Sequence, residues 1–148
     1  WNNENQLIAD SISIKTTEGG VQELYMKQNA FIIAEVDTIH FNQIKGKTMT
    51  GYFNDKNELN LVDVVGNGQS VYFLEEDSLI TGMNKIICSN IQIRLDSSKV
   101  KSIKFILKPS GTVMPQHELN PKDKKLRGFN PQFGLRPESK WDIIECCE

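Results

Sequence analysis

Nowhere in the 148 residues does an uninterrupted apolar run approach the roughly 18 that a helical membrane span requires. A helical anchor within the sequence is therefore excluded. Cysteine is scarce: Cys88, Cys146 and Cys147 are an odd number, two of them adjacent at the end, which excludes a disulfide framework. Histidine is scarcer still. His40 and His117 are the only two, and no Cys or His spacing fits a metal site, so neither a cofactor nor a metal is expected. An excess of one charge is also missing, since 17 Lys plus Arg face 19 Asp plus Glu, with 11 and 13 of them before residue 116 and 6 and 6 after it. Without a basic face, nucleic acid is not an expected partner. Proline is absent before position 109, and all five prolines then fall within 29 residues, at 109, 115, 121, 131 and 137. The start on Trp1-Asn2-Asn3-Glu4, with no leader pattern, reads as a fragment of a longer or processed chain.

What is present is a β-rich body of one domain's size. A 16.8 kDa chain buries about 68–70% of its extended surface, enough to stand without staples. From Leu7 to Val113 apolar residues alternate with period two: Ile12 and Ile14, Leu24 and Met26, Val62 and Val64, Ile91 with Ile93 and Leu95, Ile103 with Phe105 and Leu107. That spacing predicts half-buried strands. Glu18-Gly19-Gly20, Asn54-Asp55-Lys56-Asn57, Gly66-Asn67-Gly68, Asp96-Ser97-Ser98 and Pro109-Ser110-Gly111 separate the strands as turns or kinks. A helical body is not expected.

The strands also read as one unit used three times. Segments starting at Ala9, Gly46 and Cys88 each place a small residue before a strand, then a turn, a partner strand and a polar kink. The turns at Gly20, Glu58 and Lys99 lie 38 and 41 residues apart. Three such units cannot close a propeller, so an open stack of antiparallel rungs with unpaired terminal strands is preferred. The expected domains are a β-jellyroll of repeats over 1–115 and a proline-rich tail over 116–148. In the tail, Asn120-Pro121 before Lys122 to Arg127 and Gly128 predicts a short helix, and Ser139-Lys140-Trp141-Asp142 a capping box opening a turn through Ile143 and Ile144. With Phe129, Phe133, Leu135 and Trp141 as its apolar groups, the tail is expected to cover one terminal face or edge of the sheet.

Chemistry is thin along this sequence. Asp10, Asp37, Asp63 and Asp96 sit in or beside strands, where solvated outer-face charge is the simpler reading than a hydrolytic pair. Cys88 fits a small buried strand residue. Asp55-Lys56-Asn57-Glu58 lacks the spacing and central Gly of a calcium loop, and Gly66-Asn67-Gly68 lacks the helix start of a phosphate cradle. No enzymatic activity is expected. The large apolar side chains gathered on one strand face would serve either a filled core or a lipid groove.

The run Phe41-Asn42-Gln43-Ile44-Lys45-Gly46-Lys47-Thr48-Met49-Thr50-Gly51-Tyr52-Phe53, continued by Val62-Asp63-Val64 and Gly66-Asn67-Gly68-Gln69-Ser70-Val71-Tyr72-Phe73, carries a family likeness. So do Asn29-Ala30-Phe31-Ile32, Lys108-Pro109-Ser110-Gly111-Thr112 and, in the tail, Leu126-Arg127-Gly128-Phe129. Together they resemble the OstA-like (organic solvent tolerance) proteins of the Bacteroidota, related to the periplasmic lipopolysaccharide-transport protein LptA and the N-terminal domain of LptD. The resemblance implies a V-shaped folded sheet in the periplasm that shields lipopolysaccharide acyl chains. It also implies partners among bridge and outer-membrane assembly proteins, and end-to-end self-association. The groove residues expected from side-chain type are Ile12, Ile14, Met26, Ile33, Met49, Phe53, Val64, Val71, Phe73, Ile91, Ile93, Ile103 and Phe105. A one-residue slip would invert the choice for any strand. The rival expectation is an interaction module that docks through an edge strand and holds no lipid.

Overall fold

The computed structural model describes residues 1–2, 4–97, 99–139 and 141–142. Ser98, Lys140, Ile143, Ile144, Cys146 and Cys147 lie outside them. The described chain is all-β: one open antiparallel sheet of eight strands with a jellyroll-like course. The strands are β1 (Asn5–Ile8), β2 (Ser11–Thr17), β3 (Gly20–Glu35), β4 (Phe41–Phe53), β5 (Leu59–Glu76), β6 (Leu79–Asp96), β7 (Lys99–Ile106) and β8 (Ser110–Pro115).

Four of these strands are long and each is interrupted in the middle. β1 and β2 pair with opposite halves of β3, and β7 and β8 pair with opposite halves of β6. The sheet thus has two limbs meeting along a line of interruptions. One limb holds β2, β7 and residues 20–27, 48–53, 59–65 and 90–96; the other holds β1, β8 and residues 30–35, 41–45, 68–76 and 79–88. The interruptions are the polar kinks read from the sequence. Gln28, Asn29, Asn67, Leu107 and Lys108 take positive φ there, as does Gly66. Opposite residues 28 and 29 of β3 stands only residue 47 of β4, and opposite 66 and 67 of β5 only residue 89 of β6. Each returning strand therefore bulges by one residue, which bends the sheet.

The bend lays the limbs face to face. Leu24, Met26, Met49, Val62, Val64, Ile91 and Ile93 of the first limb share a cluster with Leu7, Ile32 and Ile44 of the second. Small residues are required where the inner faces meet: a Cβ on Gly46 would lie 2.3 Å from Val64 Cγ1, and Ala30 is fully buried. The three units correspond to three out-and-back passes over this line, turning at residues 18–19, at 54–58 and past Asp96. Asn57 ties two of those turns together, accepting from Val21 N–H at 2.9 Å and donating to Gly19 C=O at 3.3 Å.

The described residues of the tail cover an outer face of the sheet rather than a terminal edge. They leave β8 and cross the outer face of the second limb as a strap, ending beside β1 at the opposite side of the sheet. Leu119, Leu126, Phe129 and Phe133 pack on Phe31, Ile33, Val71, Phe73 and Met83. Two buried glutamines fasten it by standing in for strand backbone. Gln43 donates to Lys124 C=O at 2.7 Å and accepts from Leu126 N–H at 2.8 Å. Gln6 donates to Asn130 C=O at 3.1 Å and accepts from Gln132 N–H at 2.7 Å. His40 adds a third point, its ring against Phe73 and buried: Nδ1 bonds the Asp37 carboxylate at 2.7 Å, and Nε2 lies 3.3 Å from the Lys124 ammonium.

The helix expected over Lys122 to Arg127 is absent, because this stretch spends its backbone groups on the sheet's glutamines rather than on itself. Residues 121–124 form turns, and the strap's only 3-10 turns are Gln116–Glu118 and Phe133–Leu135. Asp142 does accept from the Ser139 N–H, then the Glu138 N–H and the Ser139 hydroxyl, which holds its carboxyl below the ordinary range.

Candidate functional site: an apolar cleft between the limbs

Towards the fold line the interior is filled. Met26, Met49, Val64 and Ile91 are each at most 2% exposed, so these four expected groove residues form packed core. Further from the bend the limbs part, leaving a cleft of about 110 Å³. Its first-limb wall is Leu59, Val62, Ile93, Leu95, Val100 and Ile103. The second-limb wall is Leu7, Ile32, Ala34 and Ile44, joined by the polar but uncharged Asn2, Asn5, Asn42, Ser70 and Tyr72. Among the described residues, no acidic or basic side chain lines it.

Among the residues expected to line a groove, Ile93 and Ile103 do so. Phe53 and Phe105 pack at the margin of the same cluster. Ile12 and Ile14, opposite Met26 and Leu24 in register, share the inner face but sit on the outermost strand, 45% and 58% exposed. Ile33 and Phe73 are misplaced: they belong to the opposite face, beneath the strap. Val71 packs there too, although it also borders the cleft. The reason is the bulge. On β3 and β5 the extra residue keeps inward positions even-numbered on both sides of the bend (24, 26, 30, 32 and 62, 64, 68, 70), whereas the choice by side-chain size switched parity there. The outer face of the same limb is rich in aromatics, where Phe31, Phe41 and Phe73 meet Phe129 and Phe133.

Leu7, Ile32, Ile44, Leu59, Val62, Leu95 and Val100 were therefore overlooked, as were Asn42, Ser70 and Tyr72. Counting residues across each kink against its partner strand is the signal that would have found them.

The remaining candidates are dispersed. Asp10 accepts from Asn29 at the fold line, Asp63 from the half-buried Gln92 on the outer face of the first limb, and Asp96 from Ser97 at a turn. Among the described residues there is no group of three His, Cys, Asp or Glu side chains able to hold a metal, and no helix long and apolar enough to cross a membrane. Burial pushes the Cys88 thiol pKa up, and its Sγ donates to Asn90 C=O at 3.1 Å. The fold and the cleft define a folded, open β-sheet with an uncharged apolar interior. Comparison with known proteins adds no relative: no family model, no curated protein and no solved structure matches this chain.

Proposed function

We propose that the protein is a periplasmic, non-enzymatic lipopolysaccharide-binding and transport module of the LptA-like kind, which takes an acyl chain of lipid A between its two limbs. The observation that carries this reading is the cleft, whose walls offer hydrocarbon contact and no charge. Each methylene withdrawn from water there is worth about 0.8 kcal/mol. Support also comes from the resemblance in the run Phe41 to Phe53 and its continuation. The open edges fit a bridge role: among the described residues β2 pairs only with β3, and β8 only with β6, so further strands of bridge or outer-membrane assembly proteins, or of a second copy, have ladders to join.

The test places a charge in the open part of the cleft rather than in the packed core. Ile103→Glu and Leu95→Glu are expected to abolish ultraviolet crosslinking of lipopolysaccharide to a photoreactive residue at Val100 while the protein stays folded. Undiminished crosslinking in a folded variant would count against lipid carriage. A photoreactive residue at Ile12 examines the second reading, docking without lipid, which the 45% and 58% exposure of Ile12 and Ile14 on an edge strand favours. Protein adducts at Ile12 with no lipid adducts at Val100 would support it.

A further inference from the structure

The cleft has a polar feature that a purely hydrocarbon-holding surface has no use for. Ser70 is 3% exposed, lies on the inner face of β5 opposite Ile44 and Ile86, and borders the cleft. Among the described residues no fully buried side-chain polar atom lacks a hydrogen-bond partner, so the Ser70 hydroxyl, which bonds no protein group there, opens onto the cleft. A hydroxyl that opens onto an apolar cleft keeps its donor and its acceptor lone pairs for whatever enters. Two residues along each wall strand, on the same face, stand Asn42 and Tyr72. The Asn42 carboxamide oxygen already accepts from Phe73 N–H at 2.8 Å, which orients the amide and leaves its NH₂ uncommitted. The Tyr72 hydroxyl likewise has no partner among the described residues. An otherwise greasy cleft thus presents an amide donor and two hydroxyls together on one wall.

Size and charge narrow the occupant further. An engineered cavity of about 150 Å³ holds one benzene molecule. At about 110 Å³ this cleft accepts a segment of one chain, not several side by side. An ionised head would enter without a counter-charge, since no lining residue among those described is acidic or basic, and would lose hydration that no described side chain returns. Resting on the acyl-binding reading above, we propose that the cleft recognises a single acyl chain through the uncharged carbonyl of its ester or amide linkage. Asn42 Nδ2 and Ser70 Oγ donate to that carbonyl, with Tyr72 at the cleft mouth. Free fatty acids and cationic amphiphiles are rejected.

The experiment titrates the folded protein at neutral pH with decanamide, methyl decanoate, decanoate ion and decyltrimethylammonium below their micellar concentrations, following backbone amide shifts of residues 70 and 103. Decanamide and the methyl ester are expected to bind more than about tenfold more tightly than either ion. Ser70→Ala should weaken the two neutral probes by about two- to tenfold. Tyr72→Phe provides an independent variant should Ser70→Ala fail to fold, with a smaller loss expected at its wetter position. Equal affinity for all four probes, or neutral-probe binding untouched by both variants, overturns the carbonyl assignment and leaves acyl binding standing. Absence of binding by every probe overturns acyl binding itself.

Discussion

The two limbs share four strands and one fold line, yet they are built on different rules. The first limb buries only its inner face, and its outer face carries Thr50, Asp63, Gln92 and Lys104 in a cross-strand row with Tyr25, whose hydroxyl bonds Glu23. The second buries both faces, one against the first limb and one against the strap. The same strand changes character as it crosses the bend: Glu23-Leu24-Tyr25-Met26-Lys27 alternates, whereas Ala30-Phe31-Ile32-Ile33-Ala34 is continuously apolar. Such continuity marks strands covered on both sides. Coverage by a later segment is therefore written into a strand long before that segment appears in the chain.

The contrast is broken most forcefully by removing a strap contact. Phe73→Ala should cost about 3–5 kcal/mol in urea unfolding, as for other buried aromatics. Tyr52→Ala on the bare face should fall near the about 1 kcal/mol centre of ordinary substitutions. Equal losses would mean that the strap contributes no core. Next in size is Gln43→Leu, which leaves Leu126 N–H and Lys124 C=O unpaired beneath the strap, at about 1–3 kcal/mol each. Hydrogen exchange at the Leu126 amide should accelerate with it. Gln92→Leu, whose Asp63 partner can turn to water, should change stability by only about 0.5 kcal/mol.

At the line where the limbs meet, Gly46→Ala drives a methyl into Val64 and should cost about 1–3 kcal/mol by thermal or urea unfolding. Gly134→Ala on the strap, with open space around it, should be nearly silent. The smallest effect concerns acid. The hydrogen bond from His40, and then the Ile39 N–H, hold the Asp37 carboxyl below its ordinary value. A depressed folded pKa stabilises above the unfolded value of about 3.9 and loses that contribution as pH falls through the folded one. The gap in urea midpoint between the native protein and Asp37→Asn should therefore shrink from about pH 6 to about pH 3. A constant gap would assign Asp37 a role independent of its charge.

The all-β class, the antiparallel hairpins and the bend positions were legible because each is local. Period-two alternation, turn residues and small residues at Ala9, Gly46 and Cys88 speak for themselves within a few positions. The orientation of the second limb was not legible, because both its faces are apolar and side-chain type cannot choose between Ile32 and Ile33. Gln6 and Gln43 were silent for a related reason. A glutamine in a strand looks like solvent-facing polarity until the backbone that it receives, more than 80 residues away, is known.

The strap also acts as a ruler. In passing from β8 to the side of β1 it crosses six strands of the second limb, or five interstrand spacings of about 4.8 Å each. The stretch from Gln116 to Gln132 is fitted to that width, because its two glutamine clasps on β4 and β1 are set by position rather than by side-chain reach. Duplicating one hairpin unit would widen the sheet by two strands, about 10 Å, and pull the final clasp away from Gln6. The number of hairpin passes and the length of the strap from Gln116 to Gln132 are thus a matched pair, and neither can be lengthened alone.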